Sequence, residues 1–229
     1  MQAVIITGIN RGLGEAFFNF FISRSDYYII AVSRKVTPSQ EKLLKAQKFT
    51  IVHLDLAELR NPQEQLNLDQ IIQNYKSILF INNAATINPI NSIGDFNSYD
   101  ISKNIAINVT APLIITNYLM SLLGEKSLKI INISSGAANK AIVGWSLYCS
   151  SKASTEMFFN TLKKQEATNK NIEIYNIDPG VMDSGMQESI RNSDSGVFPR
   201  VDDFKNLKSN QQLLKPENVV NSLISKLGI

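Results

Sequence analysis

Six short runs of apolar, mostly β-branched residues recur along the chain, at 3–7, 28–33, 50–54, 78–82, 128–133 and 173–177. Within each run the apolar residues are near-continuous rather than alternating. Strands covered on both faces read this way, and the stretches between the runs are long enough to hold crossover helices. The pattern predicts an α/β fold: a doubly wound parallel sheet between two layers of helices, three layers αβα in all. At 229 residues, one such domain over 1–229 accommodates the whole sequence. Two connections exceed what a crossover needs. Residues 96–123 read as one long helix, with Ile101, Ile105, Val109 and Leu113 on one face and Pro112 as a bend. Residues 181–214 are rich in Ser, Asn, Asp and Gln and lack a period, so a substrate loop is expected there. Pro216 opens a final amphipathic helix through Leu227.

Between the first run and the helix after it lies Thr7-Gly8-Ile9-Asn10-Arg11-Gly12-Leu13-Gly14. Glycines at such a junction let the backbone turn tightly and approach a pyrophosphate, which rests on the unpaired N–H groups of the helix N-terminus. This is the Rossmann-type arrangement, and it makes Gly8, Asn10, Arg11, Gly12, Leu13 and Gly14 candidate dinucleotide contacts. About twenty residues further on, NAD-binding sheets carry an acid for the adenosine ribose. Here the sequence reads Ser33-Arg34-Lys35. A hydroxyl and a guanidinium suit a 2'-phosphate, so NADP is expected in place of NAD. Asp55 and Leu56 after the third run, and Asn82 and Ala84 after the fourth, stand at strand C-termini where such ligands bind. His53, inside the third run, reads as structural.

Tyr148 and Lys152 are spaced to share one face of a helix, and Ser135 closes the fifth run thirteen residues earlier. An ammonium beside a phenol favours the phenolate. Tyrosine has an ordinary pKa of about 10, and bringing it near neutrality requires roughly 4 kcal/mol. A phenol so placed gives its proton to a carbonyl oxygen that hydride transfer makes negative, while Ser135 holds that oxygen. Tyr99 and Lys103 have the same spacing without a hydroxyl-bearing strand end before them, and are expected to be a surface pair.

Other chemistries find little support. A lone Cys149 and a lone His53 give no metal-ligand cluster, and Cys149 is expected as buried filler. A net charge of +3, with lysines dispersed, does not suggest nucleic acid. No run approaches a membrane span, and Met1 stands directly before the first strand with no leader, so a soluble cytoplasmic protein is expected.

The ordered set Thr7 to Gly14, Asn82 to Ala85, Asn108, Ser135, Tyr148, Lys152 and Pro179-Gly180 resembles the short-chain dehydrogenase/reductase family over nearly the whole chain. The resemblance implies a catalytic tetrad of Asn108, Ser135, Tyr148 and Lys152, with Asn108 holding a water on the proton path to Lys152. It also implies that Pro179, Gly180 and Val181 lie beside the nicotinamide, and that the long helices pair in a homodimer or homotetramer. Within the family, the segments 135–138, 144–152 and 179–187 resemble bacterial benzil reductases, which are similar in turn to sepiapterin reductases. That implies NADPH-dependent reduction of a small-molecule ketone beside a second carbonyl, an aromatic or vicinal diketone. The alternatives are a sepiapterin-type pterin carbonyl, or a non-catalytic NADP-sensing protein. Trp145, Met182 and Met186, with Ile142 and Phe198 nearby in sequence, suggest an apolar, partly aromatic substrate pocket. The chain ends at Ile229, where the family continues into a seventh strand bearing the pterin reductases' substrate-anchoring acid. This favours the diketone, and leaves a sheet edge exposed or covered by a partner.

Overall fold

The computed structural model describes every residue from Met1 to Ile229. Strands β1 (Gln2–Thr7), β2 (Tyr27–Ser33), β3 (Thr50–His53), β4 (Ser77–Asn82), β5 (Ser127–Ile133) and β6 (Ile172–Ile177) form one sheet. All pairings are parallel, in the order β3-β2-β1-β4-β5-β6. The first three strands step one way from β1 and the last three step the other. The reversal between β1 and β4 opens a crevice at their C-terminal ends, where ligands bind in sheets of this kind.

One face of the sheet is covered by α1 (Gly12–Ile22), α2 (Pro38–Lys45) and α10 (Pro216–Leu227), with Phe17, Phe21 and Ile224 packed on Val4, Ile6 and Ile29. The other face carries α3 (Pro62–Leu66), α4 (Asp69–Ile72), α5 (Ser98–Ile105), α6 (Ala111–Ser121) and α7 (Ser146–Gln165). Here Leu66, Ile115, Leu119 and Phe159 meet Ile5, Ile78, Phe80 and Ile130. Burying each such side chain contributes about 1.5–3 kcal/mol. These are the three expected layers. No helix is long and apolar enough to cross a membrane.

Two connections differ from the sequence expectation. The long helix is α5 joined to α6 by a turn of π-helix, Ala106–Thr110, where the Ala111 N–H reaches back to the Ala106 carbonyl. Its inward face is Asn104, Asn108, Ala111, Ile115 and Leu119, all buried. The stripe Ile101, Ile105, Val109 and Leu113 instead faces outward, with Ile101 exposed and the other three half-buried. Apolar periodicity marked the wrong face because Asn104 and Asn108 are buried for their hydrogen bonds and not for hydrophobicity.

Residues 181–214 are not an aperiodic loop. They contain α8 (Gly185–Arg191) and α9 (Val201–Ser209), and their neck is closed where Asp183 N donates to the Leu214 carbonyl at 3.0 Å and Leu214 N to Val181 at 3.1 Å. A Lys208–Asp183 ion pair adds to the closure. Ile190, Phe198, Val201 and Phe204 from this lobe form a third core cluster with Trp145 and Tyr148. Each helix is short and buries a single face, so polar residues dominate the composition and hide the period.

Candidate active site

The glycine turn is held to the end of β4 by a set of short polar bonds. Thr7 Oγ1 accepts from the N–H groups of Asn83 and Ala84, both at 3.0 Å. Asn83 Nδ2 donates to the carbonyls of Thr7 at 2.9 Å and Gly8 at 3.0 Å. A Cβ on Gly14 would stand 1.9 Å from the Gly8 carbonyl oxygen and 2.5 Å from Asn83 Nδ2, so only glycine closes the turn. Arg11, the N-cap of α1, makes no side-chain capping bond, and the first N–H groups of the helix are left to an external acceptor.

Asn82 is not part of this arrangement. It follows Ile78 and Phe80 onto the face covered by α7, where its Nδ2 donates to Asn132 Oδ1 at 2.8 Å. Strand alternation sends Asn82 into the layer and leaves the functional amide to Asn83, which stands in the motif Asn82 to Ala85 but not among the expected contacts.

One cavity of about 730 Å³ runs from the glycine turn to Tyr148. Gly8, Asn10, Arg11, Gly12, Leu13, Gly14 and Ala84 line its middle, with Pro179, Gly180 and Val181 opposite; Ser33, Arg34, Asp55 and Leu56 line one end. Ser135, Trp145, Tyr148, Lys152, Met182 and Met186 line the other. Of the site residues picked from the sequence, Asn82, Asn108 and Phe198 are not on its walls. At the first end Arg34 Nη1 lies 3.4 Å from Asp55 Oδ2, while Asp55 Oδ1 caps the short 3-10 turn Leu56–Glu58 by accepting from Ala57 N at 3.0 Å. Each Asp55 oxygen thus already accepts a bond from within the chain. Ser33 Oγ donates to the Lys35 carbonyl at 2.9 Å. The uncapped helix end, the glycine floor and the cationic end of the cavity fit a phosphorylated dinucleotide.

At the other end Tyr148 sits in the first turn of α7, buried, with Trp145 edge-on to it at 5.9 Å. Trp145 stacks on Phe198 at 5.0 Å, and Phe198 is wholly buried, so Phe198 backs the pocket without lining it. Cys149 is half-buried and packs against the same cluster. Lys152 Nζ donates to the Ile133 carbonyl at 2.7 Å and lies 5.8 Å from the centre of the Tyr148 ring. The electrostatics reverse the sequence expectation for the phenol. Burial pushes Tyr148 up to about 12, opposed by its hydrogen bond with Ser135 and reinforced by the Asp178 carboxylate. Burial also brings Lys152 down to about 8, against the pull of Asp178. Burial and the Asp178 carboxylate thus favour the protonated phenol, and only the bond with Ser135 works against them.

Asp178 precedes Pro179, lines the cavity and accepts from Gly180 N at 3.0 Å. Residue spacing carries no sign of its influence on Tyr148 and Lys152, because that depends on the proximity of β6 to α7. Asn108 spends its side chain internally: Oδ1 accepts from Thr86 N at 2.8 Å, and Nδ2 donates to the Thr86 carbonyl at 2.7 Å and to Ser151 Oγ at 3.1 Å. Tyr99 is 69% exposed, and Lys103 Nζ reaches its hydroxyl only at 3.5 Å, as expected of a surface pair.

Fold and cavity together define a nucleotide-dependent oxidoreductase, and the sequence matches the short chain dehydrogenase family over residues 2–195. The chain belongs to that family, whose members bind nicotinamide cofactors and act between CH–OH and C=O groups. Among curated proteins it is 32% identical to benzil reductase ((S)-benzoin forming) of Bacillus subtilis over 99% of this chain and 93% of that one. It is 34% identical to the Bacillus cereus protein of the same name, over 97% and 92% respectively. Sepiapterin reductase of Mus musculus is 26% identical over 82% of this chain and 77% of its own length. The solved structure of the KRED1-Pglu enzyme superposes with a TM-score of 0.86 at 25% identity, covering 98% of this chain and 94% of that one.

Proposed function

We propose that the protein is a cytoplasmic NADPH-dependent carbonyl reductase acting on an aromatic or vicinal diketone of the benzil type. The observation that carries this reading is the continuous cavity, with cationic side chains at one end and Ser135, Tyr148 and Lys152 at the other. The two bacterial benzil reductases matched over nearly the full length support the substrate class. Preference for NADP rests on Arg34, Lys35 and Arg11 lining the cavity, and on the engagement of both Asp55 oxygens. A 2'-phosphate there meets the guanidinium of Arg34 where NAD-binding sheets place an acid at the end of the second strand.

NADPH, when bound, supplies the hydride. Ser135 donates a hydrogen bond to the substrate oxygen, and Tyr148, held in its protonated form by burial, gives that oxygen the proton it needs. Lys152, brought down to about 8 by burial, returns a proton to the tyrosine. Asn108, in the π-helical turn, holds a water on the proton path to Lys152. Trp145, Met182 and Met186 supply apolar wall for an aryl group. The outward stripe Ile101, Ile105, Val109 and Leu113 supports pairing of two copies through α5 and α6 in a homodimer, or a homotetramer built from it. The test is NADPH and NADH oxidation against benzil, a simple aliphatic ketone and sepiapterin. NADPH-selective turnover of benzil is expected, and turnover of none of these ketones by folded protein that binds NADPH would overturn the reading.

A further inference from the structure

Glu156 lies on α7 four residues beyond Lys152, outside the cavity wall, and no part of the reaction above uses it. Its carboxylate reaches across to the turn that carries Ser135. Ser134 Oγ donates to Glu156 Oε2 at 2.5 Å, a charge-assisted bond from a buried hydroxyl. Asn139 Nδ2 donates to Glu156 Oε1 at 3.4 Å. Ser134 immediately precedes the N-cap Ser135, and Asn139 is the last residue of the 3-10 turn Gly136–Asn139, so one carboxylate grips both ends of the segment.

The helix bearing the carboxylate is itself fixed to the sheet. A relay of asparagine amides runs across the strands: Asn82 Nδ2 to Asn132 Oδ1 at 2.8 Å, Asn132 Nδ2 to Asn176 Oδ1 at 2.7 Å, and Asn176 Nδ2 to Asn160 Oδ1 at 2.9 Å on α7. Asn176 Nδ2 also reaches the Glu156 carbonyl at 3.3 Å. Ser134 N donates to the Ile177 carbonyl at 2.7 Å, which joins the start of the turn to β6. Ser135 Oγ has only local support, accepting from Ala137 N at 3.2 Å and meeting the Tyr148 hydroxyl. The placement of its hydroxyl is therefore set by the backbone that Glu156 clamps.

We infer that Glu156 is a positioning residue for the reduction: through Ser134 and Asn139 it fixes the turn that holds the Ser135 hydroxyl between Tyr148 and the substrate oxygen. The inference rests on the reading of Ser135 as the hydroxyl that binds that oxygen. It is tested by a double-mutant cycle on diketone reduction, using Glu156→Ala, Glu156→Gln and Ser134→Ala, each alone and combined with Ser135→Ala. Misplacing a reacting group by about 1 Å costs up to about a hundredfold in rate, and smaller shifts cost less. A loss in that range is expected for Glu156→Ala with NADPH affinity unchanged. Glu156→Gln, which keeps an acceptor for Ser134, restores most of it. In the Ser135→Ala background, Glu156→Ala costs less than about twofold further, as coupled residues do. Equal losses in both backgrounds would overturn the clamp while leaving the role of Ser135 intact. Full activity in Ser135→Ala alone would overturn that role and the clamp with it. Ser134→Ala breaks the same bond from the other side, so the cycle is still readable if Glu156→Ala does not fold.

Discussion

Lys152 donates from Nζ to the carbonyl oxygen of Ile133 at 2.7 Å, tying the start of α7 to the last residue of β5. The bond holds the ammonium 5.8 Å from the Tyr148 ring in a place where burial lowers its pKa to about 8. Tyr148 is pushed up to about 12, well above the lysine. The group that titrates is thus the lysine, and reduction consumes the protonated form of the pair. The rate of ketone reduction, measured as kcat/KM, is expected to fall as pH rises through about 8, and the reverse oxidation to rise. Lys152→Arg keeps its charge at any such pH, so its reduction profile should lack that limb. A wild-type profile flat through this range would contradict the assignment.

Arg34 is 60% exposed and held only by Asp55 at 3.4 Å, which leaves its guanidinium free to turn to a 2'-phosphate. Losing a hydrogen bond to a charged group costs about 1.5–3 kcal/mol, so Arg34→Ala should raise KM for NADPH roughly ten- to a hundredfold. The KM for NADH should change little. Steady-state kinetics with both cofactors measure the contrast.

Gly144 has φ +82°, and a Cβ there would stand 2.8 Å from the Val197 carbonyl oxygen and 3.4 Å from Phe198 Cβ. Strain and overpacking of this kind cost on the order of 1–3 kcal/mol. Gly144→Ala should lower the thermal midpoint and, by pushing Phe198 away from Trp145, raise KM for the ketone with NADPH affinity unchanged. Calorimetry and kinetics on the one variant check both effects.

The sheet and the cofactor turn were legible in the sequence because their signals are local. A continuous apolar run marks a strand covered on both faces, and Gly8 to Gly14 sits at a strand-helix junction whatever packs around it. Tyr148 and Lys152 were legible because i, i+4 spacing fixes a shared helix face. The misread features depend on contacts between distant segments. Asn82 and Asn83 are adjacent and alike, and only the direction of β4 decides which one enters the layer and which one holds Gly8. The raised pKa of Tyr148 comes from burial under the 181–214 lobe and from Asp178, neither visible in spacing. The helices of that lobe were hidden by composition, since Ile190, Phe198, Val201 and Phe204 are its only buried apolar residues.

The outward stripe on α5 and α6 makes a prediction about assembly. Val109 and Ile105 are half-buried in one chain, and a carboxylate placed between two copies would be desolvated without a partner. Val109→Asp should shift the protein to monomer in sedimentation velocity while leaving its circular dichroism unchanged. An unchanged sedimentation coefficient would show that this face does not pair copies.

The central claim is that buried, protonated Tyr148 delivers the proton to a ketone oxygen. The most direct measurement is NADPH oxidation with benzil by the wild type and Tyr148→Phe, alongside NADPH binding followed by nicotinamide fluorescence. Phenylalanine keeps the ring against Trp145 and removes only the hydroxyl. General acid catalysis by a positioned group contributes about 10²- to 10⁴-fold, so kcat should fall by that factor with NADPH binding preserved. Turnover by Tyr148→Phe within a few-fold of wild type, with the cofactor bound equally well, would contradict the account.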